Sequence, residues 1–435
     1  MPLGIYVSVP FCKSKCSYCN FASGVGARAL YGRYVEKVCA DIAAADATGQ
    51  AMSGAIERRV DTIYLGGGTP TILAPDDLSR LFRALRETFD VDAHAEVTAE
   101  CAPGTLTPQM LNTLLACGVN RISLGVQSFV DQEAAAVGRL HTRAKVLDDI
   151  ARLRTAGITN INVDLIAGLP HQTDASWKYS VDETIATGAP HVSVYMLEVD
   201  EDSRLGRELI AGGAKYHAHF VPNDDLTADL YQAAGEQLEQ AGIAQYEISN
   251  FARRADLCGG ESLTRPGRLE ESAVDSWQSR HNLKYWQRRP YLGFGVDAHS
   301  MLRTGLAGSL LDAVRFSAAD DLNAFLAGAP LTRTEVTRTG ALEETFFLGL
   351  RLLRGVDLED VAQRFGRAAV DALAPMLDEL EGTGLIEREA ATIRLTQRGR
   401  LLSNEVFQRF LFAEPATPIQ DHAHKSARAT HFSGV

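Results

Sequence analysis

Short apolar runs rich in β-branched residues alternate with amphipathic stretches up to about residue 200. The runs are nearly continuous, which is typical of strands that are buried on both faces of a parallel sheet. They are GIYVSVP (4–10), TIYLGGGTP (62–70), AEVTAE (95–100), RISLGVQSF (121–129), NINVDLIAGLP (160–170) and HVSVYMLEV (191–199). The alternation predicts an α/β fold, a partial, TIM-like (β/α)6 barrel whose active face lies at the carboxyl ends of the strands.

The amphipathic stretches have the period of helices. PDDLSRLFRALRETF (75–89) and TPQMLNTLLACGV (107–119) open with proline and with acidic or capping residues, which favour the first turn of a helix. DDLTADLYQAAGEQLEQAGI (224–243) predicts another helix, and YLGFGVDAHS (291–300) predicts a further strand and turn.

A second domain is predicted from about residue 335. Three helical stretches are followed by a hairpin and a last helix within 385–411, an order that resembles a winged helix. Residues 253–276 are polar and aperiodic, which indicates a surface insertion. The predicted domains are a barrel over 1–250, an insertion and connecting region over 251–334, a small, mostly helical, winged-helix-like domain over 335–412, and a disordered tail over 413–435.

Length and charge narrow the class of protein. The chain has 435 residues, too many for one ordinary core, and a net charge of −12, which argues against a nucleic-acid partner. No apolar run approaches the roughly 20 residues of a membrane span. The first residues lack the basic start and apolar length of a secretion signal. We therefore expect a cytoplasmic protein without a permanent membrane anchor.

The cysteines supply the first candidate chemistry. Cys12, Cys16 and Cys19 stand together in FCKSKCSYCNF (11–21), whereas the other cysteines are scattered, which is a poor pattern for disulfides. Thiolate sulfur suits iron–sulfur clusters, zinc and copper. With no fourth cysteine or histidine nearby, one iron of a [4Fe–4S] cluster would stay open to an exchangeable ligand. Zinc completed by a remote residue is the alternative.

The stretch VSVPFCKSKCSYCNF (7–21) resembles the radical SAM superfamily. Its flanking residues narrow the resemblance to the branch of oxygen-independent coproporphyrinogen III dehydrogenases and HemW heme chaperones. GGGTP, GVQSF, DLIAGLP and HNLKYW follow in the family order, so the resemblance runs from about residue 4 to about residue 411. It implies a [4Fe–4S] cluster on Cys12, Cys16 and Cys19, S-adenosylmethionine (SAM) chelating the open iron, and an electron donor as a partner.

Further positions match SAM contacts of the family. The glycines of GGGTP (66–70) let a backbone approach a ligand, although they also fit a tight turn. A charge inside an apolar strand such as INVDLIAGL is costly unless it is paired, so Asp164 indicates either a ligand site or a buried ion pair. Ribose hydroxyls favour carboxylate acceptors, and the methionyl carboxylate favours a guanidinium. The implied SAM contacts are Tyr6, Tyr18, Gly67, Gly68, Thr69, Glu100, Gln127, Arg139 and Asp164.

Two features separate the two branches. The dehydrogenases resemble C-x3-C-x2-C-x-C, whereas the chaperones end in C-x3-C-x2-C-x-F, which this chain follows with Phe21. HNLKYW (281–286) matches a signature of the chaperone branch, which makes His281 the candidate ligand of heme iron, with aromatic rings against the porphyrin. A packed loop in which His281 hydrogen-bonds to backbone is the alternative, and His299 is a second candidate.

The resemblance thus implies a heme chaperone that binds heme and a SAM-ligated cluster. It would pass heme to an acceptor protein, such as a respiratory membrane protein. The alternative is the oxygen-independent dehydrogenase, which converts two propionates of coproporphyrinogen III to vinyl groups. Phe21 and HNLKYW favour the chaperone, without dehydrogenase activity.

Overall fold

The computed structural model describes residues 1–201, 203–213, 215–254, 277–304 and 311–412. Residues 255–276 of the predicted insertion and the predicted tail lie outside these ranges. The chain divides into two compact units. The first comprises Met1–Lys284 with Arg289–Glu335, and the second comprises Tyr285–Arg288 with the residues from Val336 onward.

Six parallel strands form the centre of the first unit. Each strand pairs with the next one along the chain, so chain order and spatial order agree. They are β1 (Leu3–Val9), β2 (Arg59–Gly67), β3 (Asp90–Cys101), β4 (Arg121–Gln127), β5 (Asn160–Ala167) and β6 (His191–Met196). All six apolar runs of the sequence are therefore strands, and the predicted α/β fold class is confirmed.

Helices connect these strands and continue beyond them. They are α1 (Ala29–Ala43), α2 (Ala45–Ala51), α3 (Pro75–Thr88), α4 (Pro108–Ala116), α5 (Asp131–Ala136), α6 (Arg143–Thr155), α7 (Asp174–Thr187), α8 (Arg204–Ala211), α9 (Asp224–Gln240), α10 (Arg280–Trp286) and α11 (Leu322–Leu326). The α3 helix begins at a proline, carries two aspartates in its first turn and buries a leucine-rich face, as its sequence predicts. In the described parts of the chain, no helix combines the length and the hydropathy needed to cross a membrane.

Further strands widen the sheet at both edges. They are β7 (Ile243–Gln245), β8 (Asn250–Arg253), β9 (Tyr291–Phe294), β10 (His299–Arg303), β11 (Leu311–Ser317) and β12 (Thr332–Thr337). The antiparallel pair β7 and β8 follows β6, whereas β9 lies parallel to β1 on the opposite edge. The carboxyl ends of β1 to β6 consequently lie along one edge of the sheet, and the loops that follow them can form a single site.

The second unit is mostly helical. Its elements are α12 (Arg338–Gly349), β13 (Val356–Asp357), α13 (Leu358–Phe365), α14 (Arg367–Asp371), α15 (Ala374–Gly382), β14 (Ile386–Glu389), β15 (Thr392–Leu395), α16 (Gln397–Leu401) and α17 (Ser403–Gln408). Strands β13, β15 and β14 form a small antiparallel sheet. The helix that the sequence predicts over 370–384 is two helices, because Pro375 has no N–H to continue the first one.

Candidate cofactor site

The loop that carries the clustered cysteines follows β1. Cys12 N donates to Gly24 O at 3.0 Å, and Gly24 N donates to Pro10 O at 2.9 Å. Halfway along the loop, Ser17 N donates to Val137 O at 3.1 Å. These bonds hold the loop against the carboxyl edge of the sheet at both its base and its middle.

Two of the thiols are partly exposed and face hydroxyl groups. Cys12 Sγ lies 3.9 Å from Thr69 Oγ1, and Cys19 Sγ lies 3.9 Å from Ser23 Oγ. Burial raises the pKa of both thiols, although the neighbouring hydroxyls act in the opposite direction. Without a cation these sulfurs are therefore neutral at pH 7, and a bound metal centre would favour their thiolate forms.

The third thiol, that of Cys16, lies beside a guanidinium. Arg139 reaches back from the segment after α5, donates to Cys16 Sγ at 3.4 Å, and also donates to Gly125 O. Cys16 is buried, so the positive charge of Arg139 stands next to a sulfur that is largely removed from water. An Arg–thiolate contact of this kind stabilises negative charge on the sulfur.

The glycine turn after β2 packs directly on this loop. Gly67 has a φ of +96°, which favours glycine. Gly68 N donates to Val9 O, and Thr69 N donates to Phe11 O, both at 2.8 Å. A Cβ on Gly68 would lie 2.6 Å from Val9 O, so a residue with a side chain does not fit there.

Glu100 ends β3 beside the same turn. It accepts hydrogen bonds from Tyr64 Oη at 2.9 Å and from Gly67 N at 3.2 Å. Burial, with the nearby Asp164 carboxyl, raises the pKa of Glu100 to about 7. A Cβ on Gly66 would lie 2.8 Å from Glu100 Oε1, so this glycine leaves the carboxyl accessible to a ligand. In its deprotonated form this carboxyl group is an acceptor that suits ribose hydroxyls.

Asp164 is held by neutral donors. Its carboxyl oxygens accept from Ser123 Oγ at 3.1 Å and from Asn162 Nδ2 at 2.6 Å. Burial raises the pKa of Asp164, and these hydrogen bonds partly offset that effect. Within the described ranges, no salt bridge joins Asp164 to a cation. The sequence left open a buried ion pair at this position, and the structure instead has hydrogen bonds from Ser123 and Asn162.

Gln127 combines two signs of a ligand-binding position. Its φ is +68°, in a region that costs energy for any residue but glycine. Its side chain is 9% exposed, and its Oε1 atom has no hydrogen-bond partner among the described residues. The strain arises where the pairing of β4 with β5 shifts register between Gly125 and Gln127. The strained backbone and the unpartnered oxygen together make Gln127 a candidate for contact with a ligand.

The tyrosines that the sequence singles out lie on either side of this site. The ring of Tyr6 is 6.1 Å from that of Tyr64, and its hydroxyl would be 3.3 Å from a Cβ on Gly67. Tyr18 packs against a buried cluster that includes Val137 and Leu169. Burial is the main cause of the raised pKa of both Tyr6 and Tyr18, so both are neutral donors at pH 7.

His281 lies in the packed interior near the amino-terminal half of β2, with its ring centroid 5.4 Å from that of Tyr64. It is 0% exposed, its Nδ1 is 2.9 Å from Thr62 Oγ1, and its N–H donates to Glu96 Oε1 at 3.0 Å. Burial, aided by the Lys284 charge, lowers the pKa of His281 to about 3. The structure thus favours the packed-histidine alternative, with a threonine hydroxyl as the partner of the ring. Ligation of heme iron by His281 would require this packing to open.

Sequence reasoning missed the residues that orient the predicted ones. Tyr64 binds Glu100, and Ser123 and Asn162 bind Asp164. All three lie inside apolar strands, where the sequence alone does not distinguish them from core residues or from polar residues with a structural role. Their signal is positional, because residues two apart on a strand share a face: Tyr64 shares one with Gly66, and Asn162 shares one with Asp164.

The residues present fit a [4Fe–4S] cluster with SAM. Three thiols come from a single loop and are near enough for the charges of Cys16 and Cys19 to act on Cys12. The turn at Gly68 admits no Cβ, and the amide oxygen of Gln127 has no partner among the described residues. Within the described ranges, no group of three or more His, Cys, Asp or Glu side chains is arranged to hold a single metal ion. The roles of the individual residues stay predictions.

Comparisons with known proteins identify the family of the chain. Residues 6–183 match the family model of the radical SAM superfamily, and residues 336–402 match that of the HemN C-terminal domain. The heme chaperone HemW of Bacillus subtilis (strain 168) is 33% identical over 93% of this chain and 98% of its own length. HemW of Lactococcus lactis subsp. lactis (strain IL1403) is 30% identical over 94% of this chain and 97% of its own length.

A solved structure is similar over nearly the whole chain as well. Coproporphyrinogen III oxidase (HemN) from Escherichia coli, a radical SAM enzyme, has a TM-score of 0.76 and 25% identity, and the match covers 94% of this chain and 90% of that one. The fold and the cysteine loop are thus those of the radical SAM superfamily. Within it, the chain belongs to the HemW family, which confirms the resemblance found in the sequence.

Proposed function

We propose that this chain is a heme chaperone, which binds heme together with a [4Fe–4S] cluster and exchangeable SAM and passes heme to an acceptor protein. The observation that carries the proposal is identity of 30% or more with HemW proteins over nearly the full length of both chains. Phe21 supports it, since this position holds a cysteine in the dehydrogenase pattern and here presents a ring that is 40% exposed.

In this proposal the loop thiols of Cys12, Cys16 and Cys19 hold the cluster. Bound there, the cluster would supply a redox-active iron that can chelate the amino and carboxylate groups of SAM. The protein would fix the orientation of the nucleotide: Glu100 accepts hydrogen bonds from its hydroxyls, and the glycine turn lets its methionyl end approach the backbone. Arg139 keeps positive charge beside Cys16.

The remaining SAM positions follow the same logic. Asp164 offers carboxylate oxygens that Ser123 and Asn162 already orient. Gln127 offers an amide oxygen that has no partner among the described residues. Tyr6 and Tyr18 present neutral hydroxyl groups and ring surface near the turn and the loop. Thr69 contributes its hydroxyl beside Cys12. Together these groups replace water around a polar nucleotide, which is how a largely preformed site gains specificity.

We also propose that the chain works in the cytoplasm with partners that it meets transiently. One is the heme acceptor, for example a respiratory membrane protein, and the other is an electron donor for the cluster. The net charge of −12 supports the expectation that nucleic acid is not a partner.

The experiment that tests the proposal compares two activities of anaerobically reconstituted protein. Ferric heme is titrated and its Soret band followed, and consumption of coproporphyrinogen III is measured with SAM and a reductant. We expect saturable heme binding and no catalytic consumption of the porphyrinogen. Turnover of coproporphyrinogen III without heme binding would instead show that the chain is a dehydrogenase. This is the alternative to test because the fold is similar to that of HemN.

A further inference from the structure

Two histidines that are distant in sequence meet at the carboxyl edge of the sheet. His171 Nε2 lies 3.1 Å from His217 Nδ1, and their ring centroids are 5.0 Å apart. Both residues have a left-handed backbone, with φ of +70° at His171 and +61° at His217. Two neighbouring non-glycine residues in this region store strain, which is a reason to ask what the pair does.

An exposed aromatic ring covers one side of the pair. The Phe220 ring is 48% exposed, its centroid is 4.1 Å from that of His171, and its carbonyl accepts from His171 N at 3.1 Å. The loop is further fixed by Glu208, whose carboxylate accepts from Tyr216 N at 2.7 Å and from Ala218 N at 3.3 Å. His217, between these last two residues, is therefore held in place rather than free to turn away.

Both histidines are half-buried. In a neutral pair only one ring donates the shared proton. When His217 Nδ1 donates to His171 Nε2, the Nε2 atom of His217 keeps its lone pair. That is the tautomer of a metal-ligating histidine whose other nitrogen is oriented by an acceptor.

Apolar packing connects the pair to the cysteine loop. His171 is in the loop that follows β5, two residues after Leu169. Leu169 belongs to a buried cluster against which Tyr18, the residue before Cys19, packs. His281, by contrast, is 0% exposed, and its ring contacts Thr62 and Tyr64. Of these two locations, the one at the carboxyl edge has the half-buried imidazoles and the exposed aromatic ring.

We propose that His217 is an axial ligand of heme iron through Nε2, with His171 as the positioning residue and Phe220 as apolar surface for the porphyrin. This inference rests on the proposed function, since it assumes that the chain binds heme. Neutral imidazole is a common axial ligand of heme iron, and an aromatic ring beside it suits the apolar macrocycle. In this arrangement the exposed ring of Phe220 would contact the porphyrin.

The test titrates ferric heme into the full-length protein with its cluster reconstituted, and records the Soret band and the electron paramagnetic resonance of the heme. The variant is His217→Asn, because asparagine tolerates the left-handed backbone. We expect it to lose the imidazole-ligated signal and to weaken heme binding more than about tenfold. Added imidazole should restore the signal. His219→Asn, in the same loop, is the matched control and should keep it.

The positioning role of His171 is tested by a separate variant. His171→Asn should leave heme bound but weaken its affinity roughly 10- to 100-fold and alter the ligand-sensitive signal, since the ring nitrogen that accepts from His217 Nδ1 is removed. A purely structural role for His171 would lower the melting temperature without altering the signal of the bound heme, and that result would remove it from the proposal.

The two proposals fail separately. Heme binding by the wild type that is unchanged in His217→Asn, or lost only in His281→Ala, overturns the assignment of His217 and leaves the chaperone proposal intact. A wild-type spectrum without imidazole ligation also overturns the assignment. If the wild type binds no heme at all, the proposed function itself is wrong.

Discussion

The phenol of Tyr64 on β2 donates a 2.9 Å hydrogen bond to Glu100 on the neighbouring strand β3. Burial and the Asp164 carboxyl raise the pKa of Glu100 to about 7, and this hydrogen bond acts against them because it favours the charged form. The pair therefore sets the pH at which the candidate SAM site gains a carboxylate acceptor.

SAM binding should depend on pH through Glu100. In the proposed site the Glu100 carboxylate would accept hydrogen bonds from the ribose hydroxyls of SAM, whereas the protonated form loses that capacity, so SAM affinity should rise as pH increases through about 7. The dissociation constant is expected to fall about tenfold between about pH 6 and about pH 8, which is the effect of one group titrating near 7. Calorimetric titration of reconstituted protein checks this, and Glu100→Gln should bind weakly with a flat profile. A flat wild-type profile would exclude Glu100 as the controlling group.

Tyr64→Phe should move that profile to higher pH. The substitution keeps the ring and removes the hydroxyl that stabilises the charged carboxyl, so the pKa of Glu100 should rise further. The same titration repeated across pH measures the shift. Tyr179→Phe, at an exposed tyrosine on α7, is the control and should leave the midpoint where it is. A midpoint that moves to lower pH in Tyr64→Phe would contradict this account of the pair.

Gly68→Ala should damage both the turn and the site. The new Cβ would meet Val9 O at 2.6 Å and Phe11 O at 2.7 Å, and backbone oxygens cannot rotate away. We expect a loss of stability of about 1–3 kcal/mol and a lower yield of bound cluster. Gly32→Ala is the matched control, because nothing lies within 4 Å of its Cβ in α1, and it should be neutral or slightly stabilising. Denaturant unfolding and iron content report the two effects, and equal behaviour of the two variants would refute the packing argument.

Gln127→Gly should separate stability from binding. Glycine relieves the strain of the +68° φ and removes the orphaned oxygen, so the variant should be at least as stable as the wild type, by up to about 1 kcal/mol. SAM affinity should nevertheless fall. Ala390→Gly, at a φ of +54° in the β14–β15 turn of the second unit, relieves similar strain and should leave SAM affinity unchanged. A Gln127→Gly protein that binds SAM normally would show that the strained glutamine serves something else.

Sequence patterns predicted the sheet better than the contacts within the site. Continuous apolar runs predicted six strands, all of which the structure contains, and polar residues at their carboxyl ends indicated the edge of the sheet where the candidate site lies. His281 shows the limit, because its partner Thr62 lies 219 residues away and a motif does not reveal which strand faces it. His171 and His217 were missed for the same reason, since they are 46 positions apart in the sequence and no motif reveals their contact.

The central claim is that the three loop thiols hold a four-iron cluster whose open iron takes SAM. The most direct measurement is the electron paramagnetic resonance of anaerobically reconstituted, reduced protein with and without SAM, together with its iron and sulfide content. We predict about four irons per chain and a signal that SAM changes, both lost in Cys16→Ala and both kept in Cys117→Ala. One equivalent of a colourless metal, or a cluster signal indifferent to SAM, would contradict the account.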